Sequence, residues 1–132
     1  MTKEFVPYEL ALKLKELGFN EPCFGYYFTL NGTDWKFADN HEYFEIDDQL
    51  VIGTNFTLLA PLFQQAFRWF RENGFLIDFS SHDKDTHDFY IKWGVFEQRG
   101  SILSDAYNTY EEAELACLDK LIEIVDLKQQ EQ

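Results

Sequence analysis

The densest group of chemically capable side chains is Ser81-His82-Asp83-Lys84-Asp85-Thr86-His87-Asp88, with two imidazoles and three carboxylates within seven residues. Imidazole nitrogens and carboxylate oxygens are what a divalent metal takes as ligands, and a metal held by them could activate water or polarise a substrate. The spacing fits neither His-Glu-x-x-His nor a calcium-binding EF-hand loop, and Lys84 sets a competing positive charge among the ligands. The stretch also falls between two alternating segments, where a hairpin has to turn and polar residues are what turns use. A solvated turn is therefore the expectation, and a small metal-dependent enzyme using His82 to Asp88 is the alternative. His41 stands alone and reads as a surface loop histidine.

Other routes to catalysis find little support. There is no Gly-x-Ser-x-Gly elbow and no Gly-rich loop to cradle a phosphate. Cys23 and Cys117 lie in apolar settings without an evident cation to lower a thiol pKa, and Cys117 falls on the apolar side of a helix, so both read as packed free thiols. The adjacent acids Asp47-Asp48 and Glu111-Glu112 could serve as acid and base, but the second pair is accounted for by helix capping. The expectation is no catalytic residue, no metal and no cofactor.

The elements that position these residues can be read from periodicity. Pro7 to Leu17 is a helix with Leu10, Leu14 and Leu17 on its apolar face and Gly18 as its stop. Cys23 to Leu30 is an aromatic strand, and Asn31-Gly32 is a hairpin signal. Asp34 to Phe37 can pair back immediately and Glu42 to Ile46 can be a second return strand, with Ala38 to His41 as the loop between. Leu50 to Ile52 is a short strand or an extended connector. Thr57 is the expected N-cap of a second helix running to Asn73, with Pro61 in its first turn, Leu62, Phe63, Ala66, Phe67 and Phe70 inward, and Gly74 as the stop.

Phe75, Ile77 and Phe79 then alternate with polar-side positions, as do Phe89, Ile91, Trp93 and Val95, which describes a half-buried hairpin. Ile102 to Tyr107 adds an edge strand. Thr109-Tyr110-Glu111-Glu112 fits a capping box that opens the last helix, and Leu127 to Gln132 is expected to fray. The fold class is α+β: a single domain over residues 1–132, an antiparallel sheet of four to five strands, and three helices mainly covering one face. Helix, Gly-Phe, strand, strand occurs twice, at Gly18-Phe19 and Gly74-Phe75, without further similarity between the copies.

Three segments resemble a known family: EFVPYELALKLKELGFNEPCFGYY (Glu4 to Tyr27), APLFQQAFRWFREN (Ala60 to Asn73) and TYEEAELACLDKLIEIV (Thr109 to Val125), 55 of 132 residues. They resemble small proteins encoded by tailed phages and prophages of Bacteroides-type gut bacteria. The resemblance implies a phage or prophage setting and carries over no functional residue, because members of that family have no assigned activity; the matching stretches are element-forming rather than catalytic.

Charge supplies the main functional lead. With 24 acidic against 11 basic residues the net charge is −13, which repels phosphate backbones and anionic membranes and argues against direct nucleic-acid binding. Nowhere do roughly 18 uncharged apolar residues run together, and residues 1–17 carry charges where a secretory signal would need an apolar core, so a cytoplasmic protein is expected. Residues 23–56 hold six acids and one lysine, and residues 100–132 hold eight acids and two lysines. The first of these segments also holds aromatic rings, and Trp35, Phe37, Tyr43, Asp47 and Asp48 are the candidate partner-binding residues, with rings as anchors and acids for steering. The expected function is a non-enzymatic module that binds a host or phage protein. A further alternative is a nucleic-acid mimic in which Glu112, Asp119, Glu123 and Asp126 of the last helix stand in for phosphates; a plain solubilising acidic face also fits the same charge.

Overall fold

The chain turns from helix to strand at Gly18-Phe19 and again at Gly74-Phe75, and the two corners are built alike. Both glycines take positive φ, 108° and 100°, a region that a Cβ disfavours. At the first corner the Phe19 N–H donates to the Leu14 carbonyl (3.0 Å) and the Gly18 N–H to the Lys15 carbonyl (3.0 Å); at the second the Phe75 N–H donates to Phe70 (3.2 Å) and the Gly74 N–H to Arg71 (3.1 Å). These bonds satisfy carbonyls that the helix end leaves unpaired, and the phenylalanine that follows is buried in each case.

A computed structural model describes residues 4–29, 33–44, 57–83, 89–98 and 100–130, without the side chains of 39–44, 57, 82, 83 and 89. The elements in chain order are α1 (Tyr8–Leu17), β1 (Cys23–Phe28), β2 (Lys36–Phe44), β3 (Thr57–Ala60), α2 (Phe63–Glu72), β4 (Leu76–Asp83), β5 (Phe89–Glu97), β6 (Gly100–Leu103) and α3 (Tyr110–Gln130). The class is α+β, as the periodicity implies, but the strands form two antiparallel three-stranded sheets rather than one sheet of four to five. The chain divides into two compact units, Met1–Ala66 and Phe67–Gln132, with the boundary inside α2.

In the first unit β1 is central, in the order β2-β1-β3. The segment expected to open the second helix at Thr57 is instead β3: Leu58 pairs with Tyr27 and Ala60 with Gly25, both buried, and the helix begins only after Pro61, at Phe63. Four residues are too few for periodicity to separate strand from helix, and the edge of β1 opposite β2 offers a ladder of backbone partners. The return strand likewise runs continuously through Ala38 to His41, so that stretch is strand and not loop. The Leu50 to Ile52 segment lies outside the described residues. α1 packs against β3 and buries Ala11 and Leu14. Pro7 is the cap residue just before α1, its carbonyl accepting the Ala11 N–H at 2.8 Å.

In the second unit β5 is central, in the order β4-β5-β6. Ile77, Phe79, Ile91, Trp93 and Val95 share one face, the side against which α3 packs. The expected edge strand shifts to Gly100–Leu103, after which Ser104 to Tyr107 carries one residue more than the Ile91 to Trp93 stretch it opposes. Tyr107 exchanges two 2.8 Å bonds with Ile91, and the Ser104 N–H donates to the Trp93 carbonyl at 2.9 Å. This is a bulge, with the Ser104 hydroxyl accepting the Trp93 N–H at 2.8 Å.

α3 starts where the capping box places it: the Glu112 N–H donates to Thr109 Oγ1 at 3.1 Å. It does not stop at Leu127 but runs to Gln130. Lys128 accounts for the extra turn, because its ammonium bonds the Glu97 carboxylate of β5 and lies 5.2 Å from the centre of the Phe75 ring. A partly buried ion pair and a cation–π contact hold a turn whose sequence alone reads as polar tail. Among the described residues no helix is long and apolar enough to cross a membrane.

Two substitutions measure these features. Thr109→Ala removes one cap bond and is expected to cost about 0.5 to 2 kcal/mol in urea denaturation. Phe70→Ala, at a fully buried ring that contacts Trp69 and Phe75, is expected to cost about 3 to 5 kcal/mol. Equal shifts for the two would contradict the assignment of Phe70 to the core.

Candidate functional site

Trp35 and Phe37, expected as partner anchors, are half-buried in a chain of touching rings in the first unit. Trp35 stacks on Tyr8 of α1 (centroids 4.8 Å apart, planes at 26°), Tyr8 meets the edge of Tyr27 at 5.7 Å, Tyr27 meets Phe37 at 5.4 Å, and Phe37 meets buried Phe5 at 4.9 Å. Phe37 of β2 is directly opposite Tyr27 across the ladder, and Trp35 immediately precedes that strand. The Tyr27 hydroxyl donates to the Val6 carbonyl at 2.8 Å, while the Val6 N–H donates to Pro61, so both backbone groups of this fully buried residue are satisfied. Exposed Asp34 precedes Trp35, which sets a carboxylate next in sequence to a half-exposed ring. The Tyr43 side chain, and Asp47 and Asp48 altogether, lie outside the described residues.

The histidine-rich stretch is less turn than its composition implies. β4 runs through His82 and Asp83, whose backbones pair with Tyr90 and Phe89. Residues 84–88 and the His82 side chain are outside the described residues, as is the side chain of His41, whose backbone lies in β2. Among the described residues no three His, Cys, Asp or Glu side chains converge as metal ligands.

Cys23 and Cys117 are free and fully buried. Burial, assisted by Glu21 for Cys23 and by Glu114 for Cys117, pushes both thiols up to about 12. A thiolate is the nucleophile, so neither sulfur is set up for attack at neutral pH. Burial first, and the neighbouring Glu111 second, also raise the Glu114 carboxyl above its ordinary value.

A different surface comes into view on the second unit, on the face of the sheet that alternation assigns to solvent. Leu76 of β4 is directly opposite Phe96 of β5, and Gly94 of β5 is opposite Leu103 of β6. Leu76 is 68% exposed, Leu103 73% and Phe96 37%. They belong together, because a Cβ built on Gly94 would meet the Phe96 ring at 2.9 Å and Leu103 Cδ2 at 3.2 Å. The bare glycine lets the ring and the leucine close over the backbone. Asp78 and Lys92 occupy the same face further along, where it becomes polar. The signal for this patch is present in the sequence as apolar residues at both parities near Gly94, but alternation weighs each strand separately and only strand pairing brings them side by side.

On α3 the exposed positions include Glu111, Glu112, Asp119, Glu123 and Asp126. Lys120 pairs with Glu123 at 3.3 Å, and the Gln130 amide donates to Asp126 at 3.2 Å. The helix thus presents an acidic side, in part internally compensated. Comparison of the chain with family models, with curated proteins and with solved structures finds no match.

The buried thiols generate a test with a defined sign. The unfolded chain ionises each thiol near the ordinary value of 9.0, whereas the folded chain retains the proton to about 12. Above pH 9 the unfolded state therefore sheds protons first, and stability is expected to fall with rising pH across that window. A disulfide-exchange reagent should leave both cysteines unmodified in the native protein at pH 8 and modify them in denaturant. Rapid native labelling of either thiol would contradict its burial.

Proposed function

We propose that the protein is a non-enzymatic binding module, an accessory protein of a phage or prophage that engages a host or phage protein through an acidic and aromatic surface. The observation that carries this reading is the exposed group Leu76, Phe96 and Leu103 around Gly94 in a chain of net charge −13. The wet face of an antiparallel sheet is ordinarily polar, and apolar side chains gathered there gain free energy only when another molecule covers them. The chain's excess of carboxylates speeds approach of a partner of opposite charge and repels nucleic acid and anionic lipid. In the first unit, Trp35 beside Asp34 supports the same reading, with Phe37, Tyr43, Asp47 and Asp48 as the residues assigned to it. The phage or prophage setting rests on the resemblance of the three segments.

A nucleic-acid mimic is the second reading, favoured by the run of exposed carboxylates on the 21-residue α3. The two readings place the contact on different elements. Affinity capture from host lysate, with unaltered protein and with Leu76→Ser/Leu103→Ser and Asp119→Asn/Asp126→Asn variants of unchanged melting temperature, separates them. The expected result is a captured protein whose affinity falls at least about tenfold, or 1.4 kcal/mol, in the leucine variant and changes little at moderate salt in the α3 variant. Loss confined to the α3 variant, with a DNA-binding protein as the captured species, favours the mimic. No saturable partner in either phage-infected or uninfected lysate overturns the proposal.

A further inference from the structure

We infer that the open edge of β6 accepts an extended, cationic segment of a partner protein as an added antiparallel strand; this rests on the protein-binding reading and names its place and chemistry. Among the described residues β6 is an outer strand of its sheet, and all four of its residues are exposed. Proteins blunt such edges with charges, proline or inward-pointing lysine. β6 reads Gly-Ser-Ile-Leu, without charge or proline, and relies only on its shortness and the bulge that follows it, whereas the opposite outer strand, β4, carries Asp78 and Asp83.

The register shows which backbone groups are on offer. The Ser104 N–H donates to the Trp93 carbonyl, and the ladder then steps through Gly94 and Leu103, Val95 and Ile102, Phe96 and Ser101. Hydrogen-bonded and non-hydrogen-bonded pairs alternate along an antiparallel ladder, so the N–H and C=O groups of Ser101 and Leu103 face away from β5. The bulge from Ser104 to Tyr107 ends the regular edge, which confines pairing to the stretch before it. A strand laid there sets alternate side chains against Leu103 and Phe96 on one face and beside Ile102, 36% exposed, on the other. Main-chain bonds then provide affinity and the apolar neighbours provide selectivity.

Charge selects the occupant. Residues 67–132 carry fourteen acids against seven lysines and arginines, Arg99 directly precedes the strand and Asp105 follows it, and the same unit exposes the carboxylates of α3. A second copy would bring −13 against −13, while a lysine- or arginine-bearing segment is drawn in by the same field. The extended cationic segment is therefore the occupant that the electrostatics favour.

The test uses the full chain with three short peptides, alternating Val/Lys, Val/Ser and Val/Glu, measured by fluorescence anisotropy and by amide hydrogen exchange. The expected result is an affinity order Val/Lys over Val/Ser over Val/Glu, with at least about tenfold between the first two. Added protection should be centred on the Ser101 and Leu103 amides. Leu103→Pro removes one outward N–H while leaving the β5 ladder its bonds, and is expected to abolish binding. Should that variant not fold, exchange at Ser101 and Leu103 in the unaltered protein decides.

Val/Lys binding that leaves those two amides unprotected, or that survives Leu103→Pro, is mere charge attraction and overturns strand addition without touching the binding-module proposal. Absence of binding by all three peptides overturns the inference alone, since lysate capture tests the broader reading separately. A concentration-dependent dimer in sedimentation that Leu103→Pro removes overturns the choice of occupant in favour of a second copy.

Discussion

The burial of Phe75 directly after a left-handed glycine is the constraint on which the second unit depends. Gly74 ends α2, the Phe75 N–H returns to the Phe70 carbonyl, and the Phe75 ring meets Phe70 edge-on at 6.1 Å. Once that ring is inside, the pleat fixes the sides of everything that follows: Leu76 out, Ile77 in, Asp78 out, Phe79 in. Pairing transmits this choice to β5 and β6, so that Val95 and Trp93 face α3 while Phe96 and Leu103 face water. The same ring lies under Lys128, which secures the last turn of α3. One corner thereby determines a helix stop, a strand register, an exposed apolar group and the end of another helix.

That arrangement has a cost which the acidic composition offsets. An exposed Leu76, Phe96 and Leu103 beside an uncharged edge strand is the kind of surface through which proteins self-associate. A net charge of −13 opposes contact between identical chains at ordinary ionic strength while leaving the surface available to a molecule of opposite sign. Acidity and exposed apolar area thus act in opposite directions on self-association. On the buried side of the same sheet, α3 contributes Cys117, whose burial suppresses the thiolate, and the aliphatic side chains of Leu118, Leu121 and Ile122.

The first unit shows how far a ring-rich sequence commits its aromatics to the fold. Trp35 and Phe37 are next to exposed Asp34 and Lys36 in the chain, which gives them the look of surface anchors. Tyr8 and Phe5, both far away in sequence, take up much of their area. Both rings are therefore only half exposed.

What the sequence by itself determined are the features whose causes lie within a few residues. The stops at Gly18 and Gly74 follow from the conformational freedom of glycine, the start of α3 from the Thr109 oxygen reaching the Glu112 amide three residues on, and the sides of β4 and β5 from strict alternation. Tertiary structure decided the rest, because those outcomes depend on partners remote in the chain. Thr57 to Ala60 became a strand since β1 had a vacant edge for it, and Ala38 and Asp39 became strand since Tyr26 and Gly25 of β1 pair with them. Leu127 to Gln130 became helix up to its last residue since Glu97 and Phe75 hold Lys128. The division of the strands into two sheets, and the meeting of Leu76, Phe96 and Leu103 over Gly94, likewise exist only once residues tens of positions apart are hydrogen-bonded as neighbours, an arrangement that no local pattern encodes.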